Sequence, residues 1–139
     1  MKDLFKTILT GNNSNPPENV QLAFNKKFKD ATSVEWHLED KYFESIFVYD
    51  GKEIICRFDK NSDWVDTRIN QSLAEIGNNI TEKLSGLGEI MSSIRIEKPD
   101  SVLFEFVIRD KSMNRQIYFT NFSGEIIEKR GFNSVYDLF

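Results

Sequence analysis

Cysteine is almost absent: the chain of 139 residues has one, Cys56. A single thiol excludes an internal disulfide. Histidine is as scarce, with His37 alone. A lone imidazole makes no zinc site without cysteine or carboxylate partners at suitable spacing. No apolar run approaches the roughly 20 residues of a membrane-spanning helix. The opening MKDLFKTILTGNNSN also lacks the apolar core of an export signal, because Lys6 and Thr7 separate Leu4 and Phe5 from Ile8 and Leu9. As written, the chain is expected in the cytoplasm. Basic residues form no run, and the net charge is −4. Without a basic stripe, nucleic acid is excluded as a partner.

Phenylalanine is what the chain has in excess: 12, with 4 tyrosines and 2 tryptophans. That much aromatic area favours sheets with large packed faces. The length fits one domain, large enough to bury roughly two-thirds of its unfolded surface. We expect that domain at residues 16–130, after an arm and linker (1–15) and before a tail (131–139).

The organising stretch is PPENVQLAFNKKFKDATSVEW, Pro16 to Trp36. Pro16-Pro17 presets a helix start. Val20, Ala23, Phe24, Lys27 and Phe28 follow the spacing of one helical face, with only Lys27 polar. Val34, Trp36 and Leu38 then alternate with Glu35, His37 and Glu39, the pattern of a half-buried strand. By that alternation His37 is expected on the surface, opposite Trp36. Three more strands follow: Tyr42–Tyr49, then the type I′ hairpin pair Asp50-Gly51, then Glu53–Phe58 and Trp64–Ile69. Connections this short require antiparallel pairing.

The pattern then restarts. Ser72 and Glu75 form a capping box, and Leu73, Ile76, Ile80, Leu84 and Leu87 make a helical stripe ended by Gly86 and Gly88. Strand signals return at Met91–Glu97, Val102–Arg109, Arg115–Thr120 and Gly124–Lys129. The later strands of the two halves align at an offset of 61, setting Phe43 on Phe104, Phe47 on Ile108, Phe58 on Phe119 and Ser62-Asp63 on Ser123-Gly124. The helices align at about 56, Phe24 with Ile80 and Phe28 with Leu84. The fold class is therefore α+β: a tandem duplication of helix-plus-four-strand repeats (16–70 and 71–130). It builds a single antiparallel sheet of about eight strands with helices on one face.

Candidate chemistry is thin. Asp59, Asn61 and Asp63 begin like a calcium loop, but the sixth position is Trp64 and the twelfth Asn70, where a glycine and a bidentate glutamate are needed. Cys56, grouped by alternation with Ile54 and Phe58, is a buried structural thiol with no activating partner. Gly86-Leu87-Gly88 follows a helix rather than a strand and cradles no phosphate. The carboxylates pair in no way that would separate their acid and base roles. Catalytic residues, cofactors and metal are all expected to be none.

Pro17, Val20, Ala23-Phe24, Phe28, Ala31, Val34 and Trp36 resemble the opening pattern of the PepSY-like, beta-lactamase-inhibitor-like (BLIP-like) family of Bacteroidetes. Tyr42–Phe47, Asp50-Gly51, Phe58-Asp59 and Trp64 continue it, and the resemblance covers about residues 16–130. Leu73-Ala74 departs from the family's Leu-Pro. The resemblance implies a non-enzymatic binding or inhibitory domain, periplasmic or secreted if a signal was removed. On strand two, Phe43, Phe47 and Tyr49 share one face and Tyr42, Ile46 and Val48 the other. One face is thus expected either to be covered by the arm (1–10) and the tail or to stay open with aromatic area, and in the second case Trp36, Tyr42 and Trp64 are the candidate contacts for a protein or peptide. A small hydrophobic-ligand carrier and a purely structural domain are the alternatives.

Overall fold

The structure is a computed structural model that describes residues 15–131; the expected arm and tail otherwise lie outside the described residues. Eight strands follow in sequence order through one open antiparallel sheet, accompanied by short helices. The chain groups into two compact units, one up to Ile69 and one from Asn70.

In the first unit, helix α1 (Glu18–Lys27) precedes strands β1 (Thr32–Glu39), β2 (Tyr42–Tyr49), β3 (Lys52–Asp59) and β4 (Trp64–Asn70). The Pro17 carbonyl accepts the first regular helical bond, from the Gln21 amide, and also one from the Val20 amide, a donor that an α-helix start otherwise leaves open. Val20 and Phe24 are buried. They pack with Phe47, Ile54, Cys56 and Phe58, flanked by Trp36, Phe43 and Trp64. Lys27, the polar member of the apolar stripe, extends so that Nζ lies 3.7 Å over the Trp64 ring. Asp50 and Gly51 both have positive φ, 51° and 75°, as a type I′ turn requires.

In the second unit, the expected single helix is two. The capping box forms as read, with Ser72 N–H donating to Glu75 at 2.9 Å. Gly77, at φ 102°, then breaks the stripe into α2 (Leu73–Ile76) and α3 (Asn78–Leu84). A 3-10 turn (Ser85–Leu87) leads into β5 (Glu89–Glu97), β6 (Val102–Arg109), β7 (Arg115–Asn121) and β8 (Ile126–Gly131). Ile80 and Leu84 pack on Phe104, Phe106, Ile108 and Tyr118. A second cluster, Ile94, Ile96 and Phe119 with Leu103 and Ile117, occupies the other side of these strands.

The expected repeat register is off by one beyond the second strand of each unit. Phe47 pairs with Ile54, whereas Ile108 pairs with Gln116, so the offset of 61 becomes 62 across the hairpin. Phe58 packs with α1; Phe119 belongs to the cluster on the opposite side from α3. The cause is the connection. Two residues, Asp50-Gly51, lie between the paired Tyr49 and Lys52, but three, Lys111-Ser112-Met113, lie between Asp110 and Asn114, whose backbones are hydrogen-bonded. The extra residue flips every following side chain to the other face.

Candidate functional site

The three aromatics expected on one open face are not together. Trp36 stands edge-on to Phe24 at 5.1 Å, under α1. Trp64 is on that side as well and donates from Nε1 to Thr67 Oγ1 at 2.9 Å. Tyr42 is across from the helix, with the Arg57 guanidinium 4.9 Å from its ring centre. The face away from α1 is not open at its centre, because Ile46, Ile55, His37, Glu44 and Asp66 are all buried.

That face carries a polar network. Arg57 donates to both carboxylate oxygens of Asp66, from Nε at 2.9 Å and from Nη2. The hydrogen bond to Asp66 holds the Arg57 pKa above its ordinary value against the opposing effect of burial. His37, expected on the surface, is 3% exposed. Alternation placed it correctly opposite Trp36 but says nothing about what packs around it. Its Nε2 is 2.8 Å from Glu44 and 3.3 Å from Glu39. Glu44 is its cross-strand partner, a juxtaposition that only the β1–β2 register creates. Glu39, Asp40, Glu44, Arg57 and Arg68 line a cavity of about 80 Å³.

Asp59, the would-be first calcium ligand, instead accepts from the amides of Asn61 and Asp63 at 2.9 and 3.0 Å. The same turn recurs at Asp110 and Asn121, each side chain closing its own five-residue loop. The oxygens therefore serve turn closure.

Cys56 is fully buried and accepts from Thr67 Oγ1 at 3.3 Å. Burial pushes its thiol from 9.0 up to about 12, while the Thr67 hydrogen bond acts in the opposite direction. Such a thiol is no nucleophile at neutral pH. The unfolded thiol ionises above 9 and the folded one only near 12, so this contribution is complete below pH 9 and is lost as pH rises through 12. We expect wild type to lose about 1.4 kcal/mol per pH unit in that window relative to Cys56→Val. Urea melts of both proteins at stepped alkaline pH check this; parallel curves would contradict it.

The larger concavity belongs to the second unit. A groove of about 980 Å³ runs along α2 and α3 and is lined by Ile76, Ile80, Phe104 and Phe122, with Gln71, Asn78, Asn79 and Arg95 among its polar groups. Phe122 is 58% exposed although its ring stacks on buried Phe104, with centroids 6.0 Å apart. The Arg95 guanidinium approaches the same ring at 5.6 Å. In the sequence, Phe122 falls between the strand signals that end at Thr120 and resume at Gly124, and no periodicity singles it out. The available signal was a large aromatic between Asn121 and Ser123, where turn chemistry asks for small polar residues.

Known structures repeat this fold. A BLIP-like protein from Bacteroides fragilis matches with a TM-score of 0.78 at 17% identity, over 87% of this chain and 89% of that one. A DUF2874 family protein from Bacteroides ovatus matches at 0.79 and 21% identity, over 89% and 91%. A Bacteroides eggerthii protein, provisionally described as periplasmic, matches at 0.78 and 16% identity, over 88% and 96%. At these identities the likeness is one of fold. No protein-family model and no curated protein matches the chain. Among the described residues, no helix is long and apolar enough to cross a membrane.

Proposed function

We propose that this protein is a non-catalytic, inhibitor-like interaction module that holds an apolar side chain of a partner protein in the Phe122 groove. One observation carries the reading: a large aromatic ring, fixed by stacking on a buried phenylalanine yet mostly exposed, lines the groove. Rigid exposed aromatics in pockets are the usual anchors of protein interfaces. The amides of Gln71, Asn78 and Asn79 suit the N–H and C=O groups of a peptide segment entering beside that anchor. A carrier of small hydrophobic molecules fits less well, because many of the lining groups are polar. The BLIP-like neighbour supports an inhibitory role, and the neighbour described as periplasmic supports a periplasmic or secreted location. The helix-then-four-strands order in each unit supports a tandem duplication of a PepSY-like repeat.

A photo-crosslinking residue installed in turn at Phe122, Tyr42 and Leu22 tests the groove. Leu22 is 61% exposed on α1 and serves as the control. We expect a discrete protein adduct at position 122 that Ile76→Glu suppresses. Adducts confined to position 42 would move the contact to the strand face and overturn the groove reading. Equal labelling at 122 and 22 would also overturn it.

A further inference from the structure

We propose that His37, Glu39 and Glu44 form a binding site for a divalent transition-metal ion of the zinc class. The three side chains each present one ligand atom, and these atoms lie within 4.8 Å of one another. Four-coordinate zinc, with bonds of roughly 2.0–2.2 Å, places its donors about 3.3 Å apart. His37 Nε2 to Glu39 Oε2 is 3.3 Å, and Nε2 to Glu44 Oε2 is 2.8 Å. The second separation needs to widen by about half an ångström for an ion to enter. A neutral imidazole with two carboxylates is a donor set suited to zinc. Nε2 binds the ion through its lone pair, with the single proton of the neutral imidazole on Nδ1.

The surroundings favour such an ion. The backbone fixes the geometry: His37 and Glu44 are cross-strand partners, and Glu39 follows His37 by two residues on the same face. His37 and Glu44 are both buried, so their rotamers are held. The adjoining cavity of about 80 Å³ touches both glutamates and has room for a water as fourth ligand. Sequence spacing cannot show this site, since the second carboxylate comes from another strand. The inference is independent of the groove, which shares no residue with it.

Chelator-treated protein titrated with Zn²⁺ and Co²⁺ tests it. We expect one equivalent bound by calorimetry and a visible Co²⁺ spectrum of low-coordinate type, displaced by Zn²⁺. His37 is the only histidine, so Zn²⁺ should shift one set of imidazole NMR signals. Glu39→Gln, at a side chain 39% exposed, should weaken binding about tenfold or more with the circular dichroism unchanged. Glu35→Gln, an exposed neighbour on the same strand, should leave affinity intact. Unshifted His37 signals at saturating Zn²⁺, or Glu39→Gln binding as tightly as wild type, would overturn the proposal.

Discussion

Arg57→Ala lowers the unfolding free energy by about 3–5 kcal/mol. The loss comes from what the substitution leaves behind. Asp66 is 2% exposed, and both of its carboxylate oxygens are held by Arg57. Without the guanidinium, a buried carboxylate must stay charged and unpaired or take up a proton. Removing the other partner is milder, because Arg57 is 29% exposed and reaches water. Asp66→Ala should therefore cost less than Arg57→Ala. Replacing both by Leu should recover most of the stability, since an apolar pair carries no uncompensated charge. Both tryptophans of the chain, Trp36 and Trp64, lie in the first unit, so urea melts followed by tryptophan fluorescence read the unit that holds the pair. If the double variant is as unstable as Arg57→Ala, unpaired charge is not the cause.

The legible parts of the fold were those written in local periodicity. α1, β1 to β4 and the Asp50-Gly51 turn depend on contacts within a few residues, and each lies where spacing placed it. The capping box at Ser72 is equally local. What failed depends on counting across a loop. One extra residue between β6 and β7 moved Phe119 to the side opposite its expected equivalent, although strand positions were nearly right. The α2–α3 break at Gly77 was weakly signalled. The stripe through Ile76 and Ile80 continues across it, and only the glycine marks the change.

Site chemistry was less legible, for a related reason. Trp36 and Trp64 looked like candidates for an open face because they are aromatic and alternate cleanly. Alternation divides a strand into two faces; it does not say which one a helix will cover. α1 covers the side with more aromatic rings. The other side holds the ionisable groups, His37, Glu44, Arg57 and Asp66, brought together by strand register from four hairpin-linked strands. No motif in the linear sequence records that meeting. Phe122 was hidden differently, as a binding-type residue in a turn whose side chain the fold supports from below with Phe104.

Phe24→Ala should cost the first unit about 3–5 kcal/mol and unseat α1. Phe24 is the ring on which this core converges: centroids lie 4.9 Å from Phe47, 5.1 Å from Trp36, 5.7 Å from Phe28 and 6.5 Å from Phe58. The Trp36, Phe47 and Phe58 contacts are edge-to-face, the arrangement that places the positive rim of one ring on the negative face of another. Burial is thus joined by directional contacts worth about 0.5–1.5 kcal/mol each, though they are not additive. The helix has 10 residues, too few to persist in water without tertiary contacts. Its existence therefore rests on Val20 and Phe24 remaining docked. Loss of the ring should also disturb Lys27 over Trp64 and shift tryptophan emission to the red before global unfolding. Phe24→Leu keeps most of the apolar volume and should lose clearly less. Leu22→Ala, on the exposed side of the same helix, should change stability by less than about 0.5 kcal/mol. Equal losses for Phe24→Ala and Leu22→Ala would mean that α1 is held by something other than this ring.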